Sequence, residues 1–176
     1  KNGETYHVEW NISPVRDSRG QISHFVSVQR DISAQVQAEQ DLQLLAQALD
    51  AADDAIVLTD RQLKAVFVNA AFEVLTGYSY AEIKGQSVTL LRSGMHGPDF
   101  YKQLEETVAD GRSFRATFIN RHKSGSLYYA EQSITALRNV AGDITHYVGV
   151  SRDTTGAVER EMALREQATR DKLSGL

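Results

Sequence analysis

A chain of 176 residues, 41% hydrophobic and 24% charged, has room for one ordinary globular domain of roughly 100–120 residues plus flanking pieces. Its net charge of −4 and lack of a basic run argue against nucleic acid as a direct partner, and the absence of cysteine excludes a disulfide, a thiolate metal site and a cysteine adduct to a cofactor. No apolar run approaches the roughly 20 residues of a membrane-spanning helix and no signal peptide is visible, so the expected location is the cytoplasm, with any membrane anchor lying elsewhere in a longer parent protein.

The opening residues 1–33 read as two strands. Tyr6, Val8, Trp10 and Ile12 alternate with His7, Glu9 and Asn11, Asp17-Ser18-Arg19-Gly20 supplies a turn, and Ile22–Arg30 returns. A lone hairpin is marginal in water. This one is expected to pack on the neighbouring unit, on a partner chain, or to be poorly fixed. Residues 34–52 then read as a helix in which Ala38, Leu42, Leu45, Leu49 and Ala52 fall at alternating spacings of four and three. Two readings stand: an amphipathic helix lying on its own sheet, or a two-chain seam with Leu42, Leu45 and Leu49 at a dimer interface.

Two short apolar strands follow, Ala55–Thr59 and Ala65–Asn69. Asn69 is placed to cap a helix over Ala70–Thr76 that Gly77 ends, and Ser79 with Glu82 marks a second short helix over Tyr80–Lys84. Val88–Arg92 reads as one more turn and Ser93–Gly97 as a loop; Pro98 opens a helix to Ala109 with Phe100, Leu104 and Val108 on one stripe. Three longer strands close the unit: Phe114–Arg121, Leu127–Leu137 and Ile144–Arg152, joined by short connections that make them antiparallel neighbours. From Gly156 a polar helix suits a connector. Two strands, a cluster of short helices, then three strands is an α+β layout: one five-stranded antiparallel sheet with helices gathered on one face.

The last hairpin occurs twice. Tyr6/Tyr128, Glu9/Glu131, Arg16/Arg138, Gly20/Gly142, His24/His146, Arg30/Arg152 and Asp31/Asp153 all match at a spacing of 122 without a gap. The expected organisation is therefore the C-terminal hairpin of a preceding unit (1–33), a linker helix (34–52), a complete unit (53–155), and an outgoing helix leading into a further domain (156–176).

With these residues in view, Leu49–Thr155 resembles a PAS domain. The likeness rests on the paired opening strands leading to Asn69-Ala70-Ala71-Phe72 and Leu75-Thr76-Gly77-Tyr78, on Gly85, on the turn Asn120-Arg121-His122-Lys123-Ser124-Gly125, and on the closing Arg152-Asp153-Thr154-Thr155. It implies a PAS fold flanked by linker helices and a sensory or dimerisation role, as a homodimer through the N-terminal helix and the outer sheet face. Arg170–Leu176 resembles the opening of a diguanylate cyclase (GGDEF) domain. That implies an output domain in the same chain, making cyclic di-GMP; no catalytic loop for that chemistry lies in these residues, and the chain itself is read as non-enzymatic.

PAS domains resembling this one hold flavin, haem, a small metabolite or nothing, in a pocket between the inner sheet face and the helices. The candidates here are Phe114, Phe118, Asn120, Tyr128, Ala130, Gln132, Ile134 and Ser151. Asn120 matches the strand asparagine of flavin-binding members, but Ala130 and Ser151 stand where light-sensing members have an asparagine and a glutamine, and Glu105 stands where redox-sensing FAD members have a tryptophan. Each unpaired buried group would cost about 1–3 kcal/mol. The expectation is no cofactor, with FAD as the alternative. Haem and metal are not expected: His96 reads as a solvated loop histidine, His122 lies in a turn, and His24 and His146 lie on the opposite strand face. Asn120, Gln132, Ser151 and Tyr128 either orient a polar metabolite or bond one another and water, the second being preferred; Phe114, Phe118 and Ile134 either line the pocket or fill the core.

Both units end in Arg-Asp followed by a helix. Ser33 and Thr155 are expected as N-caps, and by resemblance to the family Asp31 and Asp153 pair locally and fix the angle at which each helix leaves its sheet. An ordinary surface cap fits the same spacing. The preferred mechanism is a mechanical relay through Asp31, Asp153 and Thr155 into Gly156–Leu173.

Overall fold

The computed structural model describes the backbone of residues 5–174, and the side chains of that stretch up to 167 and at 169. The cyclase-like side chains of Arg170–Leu176 lie outside the described residues. The chain forms two compact units, Lys1–Ala48 and Leu49–Leu176.

In the first unit β1 (Val8–Arg16) and β2 (Ile22–Asp31) pair antiparallel, starting from Val8 opposite Asp31, with a bulge at Val15/Arg16. The turn is held by Asp17, whose carboxylate accepts from the amides of Arg19 (2.8 Å) and Gln21 (3.0 Å). Trp10, Ile12, Phe25 and Val28 remain exposed. α1 spans Ser33–Asp50 and buries none of its residues.

The second unit is a single sheet in the order β4-β3-β7-β6-β5, antiparallel throughout, from β3 (Ala55–Asp60), β4 (Ala65–Val68), β5 (Phe114–Arg121), β6 (Leu127–Arg138) and β7 (Ile144–Asp153). The first strand of the unit pairs with the last, so the outgoing chain leaves from the middle of the sheet. α2 (Ala70–Thr76), α3 (Tyr80–Ile83), a 3-10 turn (Val88–Leu91) and α4 (Pro98–Ala109) fill the connection between β4 and β5, and α5 (Thr155–Ser174) follows β7. The α+β arrangement expected from the sequence is the one observed.

Local chemistry explains these boundaries. Asn69 caps α2, its carboxamide oxygen accepting from Phe72 N–H (3.0 Å). The same oxygen accepts from Ile56 N–H (2.8 Å), and the amide nitrogen donates to the carbonyls of Leu49 and Asp54 (3.0 Å each). One buried side chain thus ties the end of α1 to β3 and α2. Gly77 stops α2 at φ +76°, and the His122 ring stands where any Cβ would project. Two apolar clusters form: Ala55, Val57, Val68, Phe72, Ile83 and Leu91 on one side, and Val108, Phe114 and Phe118 with Phe100, Leu104 and Ile134 on the other.

Candidate functional site

Between the inner sheet face and the helices lies a cavity of about 490 Å³, within the range that encloses small ligands. Its walls are apolar: Val57, Phe72, Leu75, Val88, Leu91, Leu104, Val108 and Tyr147. Of the eight residues expected there, Phe118, Asn120, Tyr128, Gln132, Ile134 and Ser151 line it. Phe114 and Ala130 are buried but sit outside the lining. Phe114 packs its ring edge-on to Phe100 and Phe118, with centroids 5.5 and 6.2 Å away. Alternation along the strands put these two on the correct face; which inner-face residues reach a cavity depends on where the helices stop, which alternation does not report.

The floor is a patch of neutral polar groups. Asn120 and Tyr128 are direct cross-strand partners, as are Gln132 and Ser151. Burial pushes the Tyr128 phenol above the ordinary tyrosine range, the Asn120 side chain pulls the other way, and the Asp153 carboxylate adds to the rise, so the phenol stays protonated. Gly149 separates Gln132 from Val57: a Cβ there would meet Val57 Cγ1 at 3.0 Å and Gln132 Nε2 at 3.4 Å. Thr59, which pairs with Tyr147, is buried on this lining with no partner for its hydroxyl among the described residues. Sequence reasoning missed Thr59, Gly149, Arg61 and Arg92. The Ala55-Val57-Thr59 alternation carried the signal for the first.

Flavin is the alternative to an empty cavity, and what the floor offers one edge of its ring is a set of neutral polar groups. Asn120, Gln132, Ser151, Tyr128 and the orphaned Thr59 hydroxyl supply donors and acceptors together. Among the described residues there is no His/Cys/Asp/Glu group able to hold a metal.

The reading of His96 as a solvated loop residue is corrected. Its Nε2 accepts from Ile119 N–H (2.8 Å) and its ring stacks on Phe100, with centroids 4.0 Å apart. β5 is an edge strand, and its outward amide needs an acceptor; the histidine supplies one.

The N-cap assignment is also corrected. β7 ends at Asp153, whose carboxylate accepts from Thr155 N–H (2.8 Å). The Thr155 hydroxyl turns back to the sheet instead, accepting from Tyr129 N–H (3.0 Å), while Thr154 N–H donates to Tyr129 C=O (2.9 Å). The first unit repeats this: Asp31 accepts from Ser33 N–H (2.9 Å), the Ser33 hydroxyl accepts from His7 N–H (2.9 Å), and Ile32 N–H donates to His7 C=O (3.0 Å). The Ser33 amide, then its hydroxyl, hold the Asp31 carboxyl below the usual carboxylate range. The aspartate caps the helix, and the hydroxyl pins its first residue to the strand. Leu42, Leu45 and Leu49 are 67%, 62% and 40% exposed.

A PAS fold family profile matches residues 43–154, and a PAS domain profile matches residues 1–34. The chain belongs to the PAS family. The chain is 31% identical over 121 residues to a nitrogen fixation regulatory protein of Klebsiella oxytoca, a match covering 69% of this chain and 24% of that one. An RNA-binding light-oxygen-voltage receptor superposes with a TM-score of 0.65 at 26% identity, covering 94% of this chain and 44% of the other. A PAS domain from Colwellia psychrerythraea gives 0.62 at 26% identity, covering 66% and 98%. The chain spans about a quarter of the length of the curated regulators it matches. It is a PAS sensory domain, similar to regulators and a receptor. No helix among the described residues is long and apolar enough to cross a membrane.

Proposed function

We propose that the PAS unit converts occupancy of its cavity into a change in how α5 leaves the sheet. The observation that carries this is shared placement. Ser151 on the cavity floor is two residues from Asp153 on β7, and Tyr128, also on the floor, adjoins Tyr129, the residue that holds Thr154 and Thr155. Tyr128 lies within the field of the Asp153 carboxylate. A ligand that moves Tyr128 or Ser151 by a few tenths of an ångström therefore moves both anchors of the helix start. Such a switch needs two states only a few kcal/mol apart.

A flavin, FAD included, would be held by Asn120, Gln132, Ser151 and Thr59, and would supply redox or light sensitivity. The test is the absorption spectrum from 350 to 500 nm together with native mass spectrometry of the purified chain. A bound mass that disappears in Gly149→Val supports the reading. A protein that carries no ligand and whose melting is unmoved by flavins and a metabolite library overturns it.

The wider assignments in this reading are a preceding PAS domain ending in β1–β2, a cytoplasmic homodimer joined through α1 and the outer sheet face, and a diguanylate cyclase after α5. The dimer is supported by the heptad leucines that α1 leaves exposed, and the cyclase by the likeness of Arg170–Leu176. Cyclic di-GMP formation from GTP by the full protein tests the cyclase; a monomer by light scattering, unchanged in Leu45→Glu, would remove the dimer.

A further inference from the structure

The loop between the 3-10 turn and α4 holds one residue of β5 by both of its backbone groups. Ile119 N–H donates to His96 Nε2 (2.8 Å), and Ile119 C=O accepts from the Ser93 hydroxyl. Arg121 of β5 reaches back to the Ser93 carbonyl (3.0 Å), and Arg92 pairs with Asn120 in a backbone bridge. Of these contacts only the imidazole changes its hydrogen-bonding character near neutral pH. A ring nitrogen that accepts carries no proton, so the ring is neutral with its proton on Nδ1. A second proton, on Nε2, turns that acceptor into a donor facing another donor. The ring also stacks on Phe100 of α4, with centroids 4.0 Å apart and planes at 17°, and meets Tyr101 and Phe118 edge-on at 6.3 and 5.8 Å. An aromatic face attracts a cation, so the stack on Phe100 survives protonation while the bond to β5 does not. The charged and titratable groups on the adjoining turns are Asp99, Tyr101 and Lys102 of α4, Arg121 of β5 and Arg92 of the loop. His96 forms an ion pair with none of them among the described residues.

We propose that His96 is a proton-operated latch between α4 and β5. Neutral, it ties the loop to Ile119; protonated, it stays on Phe100 and releases the strand. The latched state takes only the neutral ring, so added protons favour the open state, and opening sets in as the pH falls through the ordinary histidine range, about 6.5. Gly94 (φ +84°) and Gly97 bracket the moving residues, and a Cβ at either would meet nothing within 4 Å. Ser93 and Arg121 keep the other end of the loop tethered. α4 begins at Pro98 and lines the cavity with Tyr101, Leu104 and Val108, so acid loosens that wall at its start. The latch belongs to the fold and stands whether or not the cavity takes a ligand.

Nuclear magnetic resonance on the whole chain tests this. Protection of the Ile119 amide against hydrogen exchange, corrected for the intrinsic effect of pH, is expected to fall by up to about tenfold per pH unit below about 6.5, the limit for one proton. The Ile119 amide shift and the His96 ring resonances should share one midpoint. Amides of β3, which lies between β4 and β7, should keep their protection. His96→Gln supplies an acceptor that does not titrate and should hold Ile119 throughout the range, whereas His122→Gln should leave the response as in the wild type. An Ile119 amide equally protected one unit above and one unit below about 6.5 overturns the latch. So do separate midpoints, a loss of protection shared by β3, or a response that survives in His96→Gln or vanishes in His122→Gln.

Discussion

The two hairpins of this chain share a skeleton and differ in what they line. In both, a turn carboxylate or carboxamide accepts two amides: Asp17 from Arg19 and Gln21, Asn139 from Ala141 (3.0 Å) and Asp143 (2.9 Å). In both, an arginine donates across the turn to a glycine carbonyl at 2.8 Å, Arg16 to Gly20 and Arg138 to Gly142. Both carry a bulge at the same place, and both end in the same aspartate-and-hydroxyl anchor. The inner faces have parted. Gln132, Gly149 and Ser151 of the second hairpin correspond to Trp10, Ser27 and Gln29 of the first. Where Gly149 opens space beside Gln132, the Trp10 indole donates to the Ser27 hydroxyl. The exit is preserved and the pocket floor is not. The two hairpins share the chemistry of their exits and differ in the side chains of their inner faces.

The sharpest way to break this comparison is through the exits. In the full protein, Asp153→Ala is expected to abolish the output response to every stimulus. Asp31→Ala is expected to abolish only responses that enter upstream of α1. Each removes a side-chain acceptor at a helix start, so unfolding in urea should shift only slightly. A full response in Asp153→Ala would show that the shared anchor is an ordinary cap.

The fold was legible because its punctuation is local. Asn69, Gly77, Pro98 and the glycine turns mark element ends by their own backbone chemistry, and period-two alternation separated the sheet faces. The exit chemistry was half legible. The spacing of Asp153 and Thr155 predicts a capped helix, but which oxygen caps depends on Tyr129, twenty-six residues away. The cavity was less so. Thr59 reads as the end of an apolar strand, and its missing partner exists only once β7 and the helices are in place. His96 reads as a loop residue because nothing local reveals that β5 is an edge strand in need of an acceptor.

β3 and β5 hold the second hairpin from either side, and Gly77 seats the helices against the turn that leads into it. Gly77→Ala forces a side chain into the left-handed region against the His122 ring, and should destabilise the second unit by about 1–3 kcal/mol in urea unfolding. Gly149→Val should cost about 1–3 kcal/mol by overpacking against Val57 and eliminate ligand binding, whereas Val at its counterpart Ser27 should leave binding untouched. Equal effects at the two positions would mean the inner faces have not diverged in role. Thr59→Val should do the reverse of Gly149→Val: stabilise the ligand-free protein by about 1 kcal/mol, by removing an unpaired buried hydroxyl, and weaken ligand binding. A destabilised Thr59→Val protein would show that the hydroxyl has a partner.

The smallest expected effect concerns the turn that opens the second hairpin. Lys123 N–H donates to Thr76 C=O (2.9 Å), and its ammonium group meets the Glu82 carboxylate, which also accepts from Ser79 N–H (3.0 Å). Lys123, then the Ser79 amide, hold the Glu82 carboxyl at about 2, against an ordinary 4.5. Because the folded value lies below the unfolded one, this carboxylate stabilises the fold fully above pH 4.5 and loses that contribution as the pH falls toward 2. Both side chains are nearly half exposed, 44% and 46%, so solvent and salt keep the effect small. The urea midpoint of the second unit should decline between pH 5 and 2.5 more steeply in the wild type than in Lys123→Met, with the difference shrinking in high salt. The β1–β2 hairpin, followed through Trp10 fluorescence, should show no such dependence on Lys123. Parallel pH profiles for wild type and Lys123→Met would mean that the backbone bond to Thr76, rather than the ion pair, seats this turn on the helices.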